Sequence, residues 1–135
     1  GVQTCALPIW SIFGEATLTF PQTIVLRYSR FEAEQRKLPQ AVEDYSRWFL
    51  ARLRLVESAL EARAYLAAGR FTVADISVGY ALMLAGYLGL AQQFKPKVAA
   101  YWEALQEREG FKRAISAQHQ AALAQGVPVT PAPLV

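Results

Sequence analysis

Three side chains in this sequence stand out by their setting or rarity as candidates for chemistry as an acid, a base or a nucleophile. Asp75 is the one carboxylate in the mostly apolar run GRFTVADISVGYALML (69–84), Cys5 is the single cysteine, and His119 is the single histidine. A carboxylate in an apolar setting can act as a general acid or base, bind a metal ion, or start a helix. The neighbours of each residue must decide between these roles.

The residues around Asp75 favour a helix start over a catalytic site. Thr72 and Asp75 form a T-x-x-D pattern, a variant of the capping box, in which each side chain accepts a hydrogen bond from the backbone amide of the other residue. Phe71 and Ile76 fall at the two positions of a hydrophobic staple. No histidine or second acid stands nearby in the sequence to complete a metal site. We predict a structural cap at these four residues, with a contribution of about 1 kcal/mol.

The first nine residues, GVQTCALPI (1–9), match the translation of a common DNA-sequencing library adapter. The codons GGA GTT CAG ACG TGT GCT CTT CCG ATC encode them in order. We therefore expect residues 1–9 to be adapter-derived, and a nucleophilic role for Cys5 is disfavoured. The alternative is a genuine linker whose Pro8 precedes the first helix.

Composition predicts one folded domain in the cytoplasm. Of the 135 residues 53% are hydrophobic and 19% are charged, which excludes intrinsic disorder for most of the chain. The net charge of +3 comes from interleaved basic and acidic residues, so neither nucleic acid nor a membrane surface is an expected partner. A single cysteine fits a reducing compartment. No apolar run reaches the roughly 20 residues that span a bilayer, and a signal peptide is not expected.

Helical periodicity begins at Trp10 and predicts two helices before the capping box. The first runs to about Ser29, with a kink at Pro21 because proline lacks a backbone donor. The second begins at Pro39. Its inner face is marked by apolar residues at steps of three and four, namely Val42, Tyr45, Phe49, Leu53, Val56 and Leu60. Local propensity alone would extend this helix to Gly69.

Three further helices are predicted after residue 71. The helix that begins at the capping box is apolar almost all round, which is typical of a helix at the centre of a bundle. A shorter helix opens at Pro96 and is expected to break at Gly110. The last helix ends at Gly126, and Phe111, Ile115 and Leu123 are predicted to face inward. His119 is expected on the surface.

Three stretches resemble the C-terminal helical domain of glutathione transferases of the bacterial type. They are FGEATLTFPQTIVLRYSRFE (13–32), FTVADISVGYAL (71–82) and PKVAAYWEALQEREGFKRA (96–114). The most specific element is the F-T-x-A-D cap. The resemblance implies an all-α bundle of about five helices around a buried central helix, over residues 10–125, followed by a Pro-rich flexible tail at 126–135. It also implies a loop at YLAAGRFT (65–72), so the second helix is expected to end near residues 61–63.

The resemblance also implies a function for the protein to which this domain belongs. Glutathione would be the cosubstrate, a small electrophile the substrate, and the protein a homodimer without a bound metal. In that family an N-terminal thioredoxin-like domain carries the Tyr, Ser or Cys that activates the glutathione thiol. This sequence contains no βαβ pattern, so it holds no catalytic residue and is expected not to be a competent enzyme alone.

The first helix would carry the contacts of this domain to small molecules. By the resemblance Phe13, Thr19 and Phe20 face the electrophile, while Glu15 and Thr17 reach glutathione bound by the other subunit. The residues themselves fit other roles equally well: the two phenylalanines could be core or dimer-interface residues, and the acid an exposed first-turn residue stabilised by the helix dipole. The alternative function is a non-enzymatic protein-interaction scaffold with the same helical fold.

Overall fold

The computed structural model describes residues 2–129 of the chain, and over these residues every regular element is helical. A long N-terminal helical rod is followed by four α-helices, which confirms the predicted all-α bundle of five helical bodies. No helix in the described part combines the length and the apolar content needed to cross a bilayer. Residues 130–135 of the predicted flexible tail lie outside the described residues.

The N-terminal rod comprises four consecutive segments without a break in right-handed helical geometry. They are α1 (Val2–Ile12), a π-helical segment (Phe13–Thr19), α2 (Phe20–Leu26) and a second π-helical segment (Arg27–Phe31). The predicted interruption at Pro21 takes the form of the first π segment, where the Phe20 N–H bonds the Glu15 carbonyl five residues back. The wider π turn accommodates a proline that removes a backbone donor.

Helix α1 starts earlier than the sequence predicted. It begins at Val2 rather than near Trp10, and Ala6 and Leu7 pack against the hydrophobic core. Residues 2–9 thus continue the helical pattern of the residues that follow them. Their adapter origin stays a prediction, which sequencing of the source DNA tests.

Helix α3 (Pro39–Ala59) and the loop after it agree with the expectation from the resemblance. The helix ends within a few residues of the predicted 61–63, and residues 60–72 form no helix or strand. The last four residues of the predicted inner stripe (Phe49, Leu53, Val56, Leu60) are buried in the core. Tertiary contacts override local propensity here, because Leu66 and Ala67 of the loop are themselves buried.

Helix α4 (Val73–Tyr87) is the central helix, and the rod packs closely against it. Ser77 donates a hydrogen bond from its hydroxyl to the Ser11 carbonyl at 2.7 Å, and Gln22 donates from Nε2 to the Ala81 carbonyl at 2.9 Å. Seven of its residues are buried: Ala74, Asp75, Val78, Gly79, Ala81, Leu82 and Ala85. The predicted buried central helix is therefore confirmed, although one of its faces stays open.

Helices α5 (Pro96–Gln106) and α6 (Glu109–Ala124) are separated by a short break at residues 107–108. The predicted break at Gly110 is wrong, since the extended backbone lies at Arg108 and Gly110 is already in the first turn of the next helix. The inward placement of Leu123 is also wrong, because its side chain is 71% exposed. Phe111 and Ile115 are half-buried as expected.

The N-terminus of α5 has no local cap and is capped from α3 instead. The Glu57 carboxylate accepts hydrogen bonds from the N–H groups of Lys97 (3.1 Å) and Val98 (2.9 Å). We expect Glu57→Ala to lower the free energy of unfolding by about 1 kcal/mol, the usual value of a helix cap. Urea unfolding of the chain measures this loss. Glu61→Ala, an exposed acid just beyond α3, is the control and is expected to change stability by less than about 0.5 kcal/mol.

Candidate functional site

Asp75 is fully buried and lies at the centre of a hydrogen-bond network. Its Oδ1 accepts from the Leu66 N–H at 3.0 Å and from the Tyr101 hydroxyl at 2.8 Å. Its Oδ2 accepts from the Thr72 N–H at 2.8 Å and from the Thr72 hydroxyl at 3.2 Å. The Thr72 hydroxyl in turn accepts from the Ala74 N–H at 3.2 Å, and the reciprocal capping box is formed. One carboxylate thus connects the loop, the start of α4 and helix α5.

The Tyr101 hydroxyl remains a hydrogen-bond donor throughout the working pH range. Burial raises the pKa of the Tyr101 phenol, and the neighbouring Asp75 carboxylate raises it further. The phenol therefore stays protonated and continues to donate to the carboxylate. With both oxygens of Asp75 engaged by donors of this protein, the arrangement supports a structural role and offers no free oxygen for acid–base chemistry.

An open apolar groove lies between α4, α5 and α6. Its volume is about 480 Å³, and its walls are mainly apolar and aromatic side chains. We define the groove by six of them: Phe71, Ile76, Tyr80, Trp102, Phe111 and Ile115. The Trp102 and Phe111 rings meet edge to face at 5.5 Å across the break between α5 and α6. This volume is in the range of clefts that bind small molecules.

One cation, Arg108, borders the groove. Its guanidinium carbon lies 3.6 Å from the centroid of the Phe71 ring, and Nη1 donates to the Tyr65 hydroxyl at 3.4 Å. Within residues 2–129 no carboxylate forms an ion pair with Arg108. Asp75 also lines the groove, but its oxygens are occupied by the network described above.

The site residues expected on the first helix do not line this groove. Phe13 is half-buried against the core and packs edge to face on Trp10 at 5.4 Å. The Thr19 hydroxyl donates to the Gly14 carbonyl at 2.9 Å and is thus engaged within the rod. Phe20 is 53% exposed.

The two residues expected to reach glutathione lie on the same π segment of the rod. Glu15 is exposed and Thr17 is half-buried. Neither the groove nor the shallow depression on α6 around His119 is lined by Glu15, Thr17 or the other three residues expected on the first helix. Their assignment to glutathione and electrophile binding stays a prediction.

Two of the predicted capping residues, Phe71 and Ile76, line the groove. The Arg108 guanidinium stacks on the Phe71 ring. Ile76 is 57% exposed, so its side chain remains accessible to a partner. The sequence contained a signal for this groove, because α4 lacks a polar face. A helix with no polar face whose outer side is uncovered exposes an apolar surface.

The other two residues singled out in the sequence lie on the surface. Cys5 and His119 are both exposed. In the described part of the chain no three side chains of His, Cys, Asp or Glu come together in a group that could hold a metal ion.

The fold is similar to solved structures of glutathione transferases. The glutathione transferase Ure2p5 from Phanerochaete chrysosporium matches 93% of this chain at 20% identity and a TM-score of 0.79. The same protein cocrystallised with 1-(S-glutathionyl)-2,4-dinitrobenzene matches 92% at 22% identity and a TM-score of 0.78. Glutathione S-transferase III in its apo form matches 85% at 22% identity and a TM-score of 0.72.

These matches cover only part of each larger structure. The chain spans 58%, 59% and 55% of the three structures, respectively. No protein-family model and no curated protein sequence matches the chain. The structural likeness nevertheless establishes the architecture: this chain has the fold of the C-terminal helical domain of glutathione transferases.

Proposed function

We propose that this chain is the helical domain of a glutathione transferase, and that it contributes the electrophile pocket and dimer contacts to the conjugation of glutathione. The observation that carries the proposal is the fold match over 92% of the chain to a transferase cocrystallised with a glutathione conjugate. The reaction needs an activated thiolate that attacks an electrophilic carbon. The activating residue would belong to a thioredoxin-like domain, which the described all-helical structure does not contain.

Contacts to small molecules are proposed on the outer side of the rod. Phe20 is more than half exposed, and Glu15 is exposed one turn earlier, so both side chains are accessible to a bound molecule or a second subunit. In this proposal Phe13, Thr19 and Phe20 border the electrophile, while Glu15 and Thr17 reach glutathione held by the other subunit of a cytoplasmic homodimer. Aromatic walls suit the planar, apolar electrophiles that such pockets accept.

The groove is proposed to pack on the thioredoxin-like domain. The chain corresponds to 58% of the length of its structural neighbour, so the remainder of such a protein is available to cover this surface. An apolar face of this kind is costly to leave in water, and domains bury such faces against each other.

The proposal is tested by recovering the source DNA and expressing the complete protein. The complete protein is expected to be retained on immobilised glutathione and to conjugate glutathione to 1-chloro-2,4-dinitrobenzene. The 135-residue chain, assayed alongside, is expected to show neither property. A complete protein that is neither retained nor active would support the scaffold function instead, as would an upstream sequence that encodes an unrelated domain.

Replacing Phe20 tests its place in the electrophile pocket. In the complete protein Phe20→Ala is expected to change the ratio of kcat/KM between 1-chloro-2,4-dinitrobenzene and a small aliphatic epoxide by roughly tenfold, because a lost aromatic wall affects the larger substrate more. Thermal stability should change little, since the ring is largely exposed. Phe31→Ala, an exposed phenylalanine at the far end of the rod, is the control. An unchanged ratio for Phe20→Ala contradicts the pocket assignment.

A further inference from the structure

The groove contains a cation that has no ion-pair partner among the described residues. Arg108 is half-buried among apolar and aromatic side chains, and no carboxylate in residues 2–129 pairs with it. Covering the groove with a purely apolar partner would remove this cation from water without giving it an ion-pair partner, which costs free energy. A partner that covers the groove is therefore favoured if it brings a negative charge.

The Arg108 guanidinium is already oriented for such a partner. Stacking on the Phe71 ring at 3.6 Å and the bond from Nη1 to the Tyr65 hydroxyl restrict the side chain before any partner arrives. The guanidinium has five N–H donors in a planar fork, and the Tyr65 bond uses one of them. A carboxylate can accept two parallel hydrogen bonds from such a fork. Ordering this arginine for the pair costs less side-chain entropy than ordering a flexible lysine at the same position would.

The open surface is too extended for a small molecule alone. Val73, Ile76 and Tyr80 follow one another along the outer face of α4, and they are 51%, 57% and 54% exposed. Of these, Ile76 and Tyr80 line the groove, whereas Val73 lies beyond it at the start of the helix. A ligand that filled about 480 Å³ would leave part of this face in water. A protein segment can cover the groove and the outer face of α4 together.

We infer that Arg108 pairs with a carboxylate of the protein segment that covers the groove. The segment presents apolar side chains to α4 and α6 and an Asp or Glu to the guanidinium. This inference rests on the proposed function, in which the segment belongs to the thioredoxin-like domain of the same protein. Arg108 is thus a positioning residue for the contact between the two domains.

The first experiment measures the charge preference of the groove in the 135-residue chain. Two fluorescent probes with the same aromatic rings are titrated: 8-anilinonaphthalene-1-sulfonate, which carries a negative charge, and N-phenyl-1-naphthylamine, which is neutral. Arg108→Gln is expected to weaken binding of the sulfonate roughly tenfold and of the neutral probe less than twofold, the effect of one charge-assisted pair. Arg108→Lys should retain part of the preference, and Arg113→Gln, an exposed arginine on α6, should retain all of it.

Two outcomes of the probe experiment would overturn the inference. Equal weakening of both probes by Arg108→Gln would mean that the arginine only shapes the groove through Phe71. Unchanged binding of the sulfonate would mean that the guanidinium does not pair with an anion there. Circular dichroism of each variant establishes that the helical fold is intact.

The second experiment identifies the source of the carboxylate. In the complete protein recovered from the source DNA, Arg108→Gln is expected to lower Tm by about 3 °C more than it does in the 135-residue chain. Equal shifts in the two proteins would show that no other domain pairs with Arg108. If the DNA encodes no thioredoxin-like domain, the proposed function and this source of the carboxylate both fail, while the probe experiment still decides whether the groove selects an anion.

Discussion

Asp75→Asn is expected to lower the free energy of unfolding of the chain by about 4 kcal/mol, because it removes a buried, charged acceptor that serves four donors. Asparagine has the size of aspartate but replaces one acceptor oxygen with an NH₂ group. That group would face one or more of the donors that now meet the carboxylate: the Leu66 N–H, the Thr72 N–H and hydroxyl, and the Tyr101 hydroxyl. Each donor is worth about 1.5 kcal/mol or more when its partner is charged, and a donor left unpaired in the interior costs its full desolvation.

Urea unfolding followed by circular dichroism measures this loss. Asp44→Asn is the matched control, because Asp44 is exposed and accepts only one side-chain hydrogen bond, from Gln40, so its loss should stay below about 0.5 kcal/mol. Tyr101→Phe removes one of the four donors and is expected to cost about 1.5 kcal/mol. A loss below about 1 kcal/mol for Asp75→Asn would contradict the anchoring role. A complete protein that lost activity with unchanged melting would point to chemistry at Asp75 instead.

The strongest sequence predictions concerned features with short-range causes. The capping box could be recognised because Thr72 and Asp75 are three residues apart and their reciprocal bonds depend only on local geometry. The buried stripe of α3 followed from helical periodicity, since residues three and four apart share a face. The sequence pattern did not indicate that the same carboxylate would also hold Leu66 and Tyr101, because these partners are brought near only by the packing of the loop and α5.

The features that were missed or misplaced depend on contacts between distant segments. The break between α5 and α6 was placed at Gly110, the most obvious local signal, whereas the chain breaks at Arg108, whose side chain packs on Phe71 far away in the sequence. The π segments of the rod were not predicted, because proline in a helix is compatible with a kink, a break or a π turn. Helix propensity alone does not distinguish a kink, a break and a π turn.

The groove was missed for a related reason. Its walls come from three helices, and each wall taken alone is consistent with an ordinary core face. The sequence predicted that α4 would be enclosed on all sides, which is what an apolar helix normally requires. In the structure the face of α4 that carries Ile76 and Tyr80 is not covered by any of the described residues 2–129. The apolar pattern therefore indicated that this face needs a partner, but not which segment supplies it.

Gly14→Ala is expected to lower the free energy of unfolding by about 3 kcal/mol, because the rod and α4 are in backbone contact at this point. A Cβ atom at position 14 would lie 2.7 Å from the Ser77 carbonyl carbon and 2.8 Å from the Val78 nitrogen, closer than real Cβ atoms come to other atoms. The third obstructing atom is the Ser77 hydroxyl oxygen, but the other two are backbone atoms that no side-chain rotation can remove, so the helices must move apart. That movement would also strain the bond from the Ser77 hydroxyl to the Ser11 carbonyl.

Gly86→Ala provides the matched control for this steric effect. Gly86 lies in the last turn of α4, is exposed, and would have no neighbour within 4 Å of an added Cβ. Alanine should therefore raise the free energy of unfolding by about 0.5 kcal/mol or more, the usual gain from replacing glycine inside a helix. Opposite signs for the two substitutions, measured by urea unfolding, would locate the close helix contact at Gly14. Equal stabilisation by both would mean that the rod and α4 do not touch at Gly14, and the position of the rod against the central helix would have to be revised.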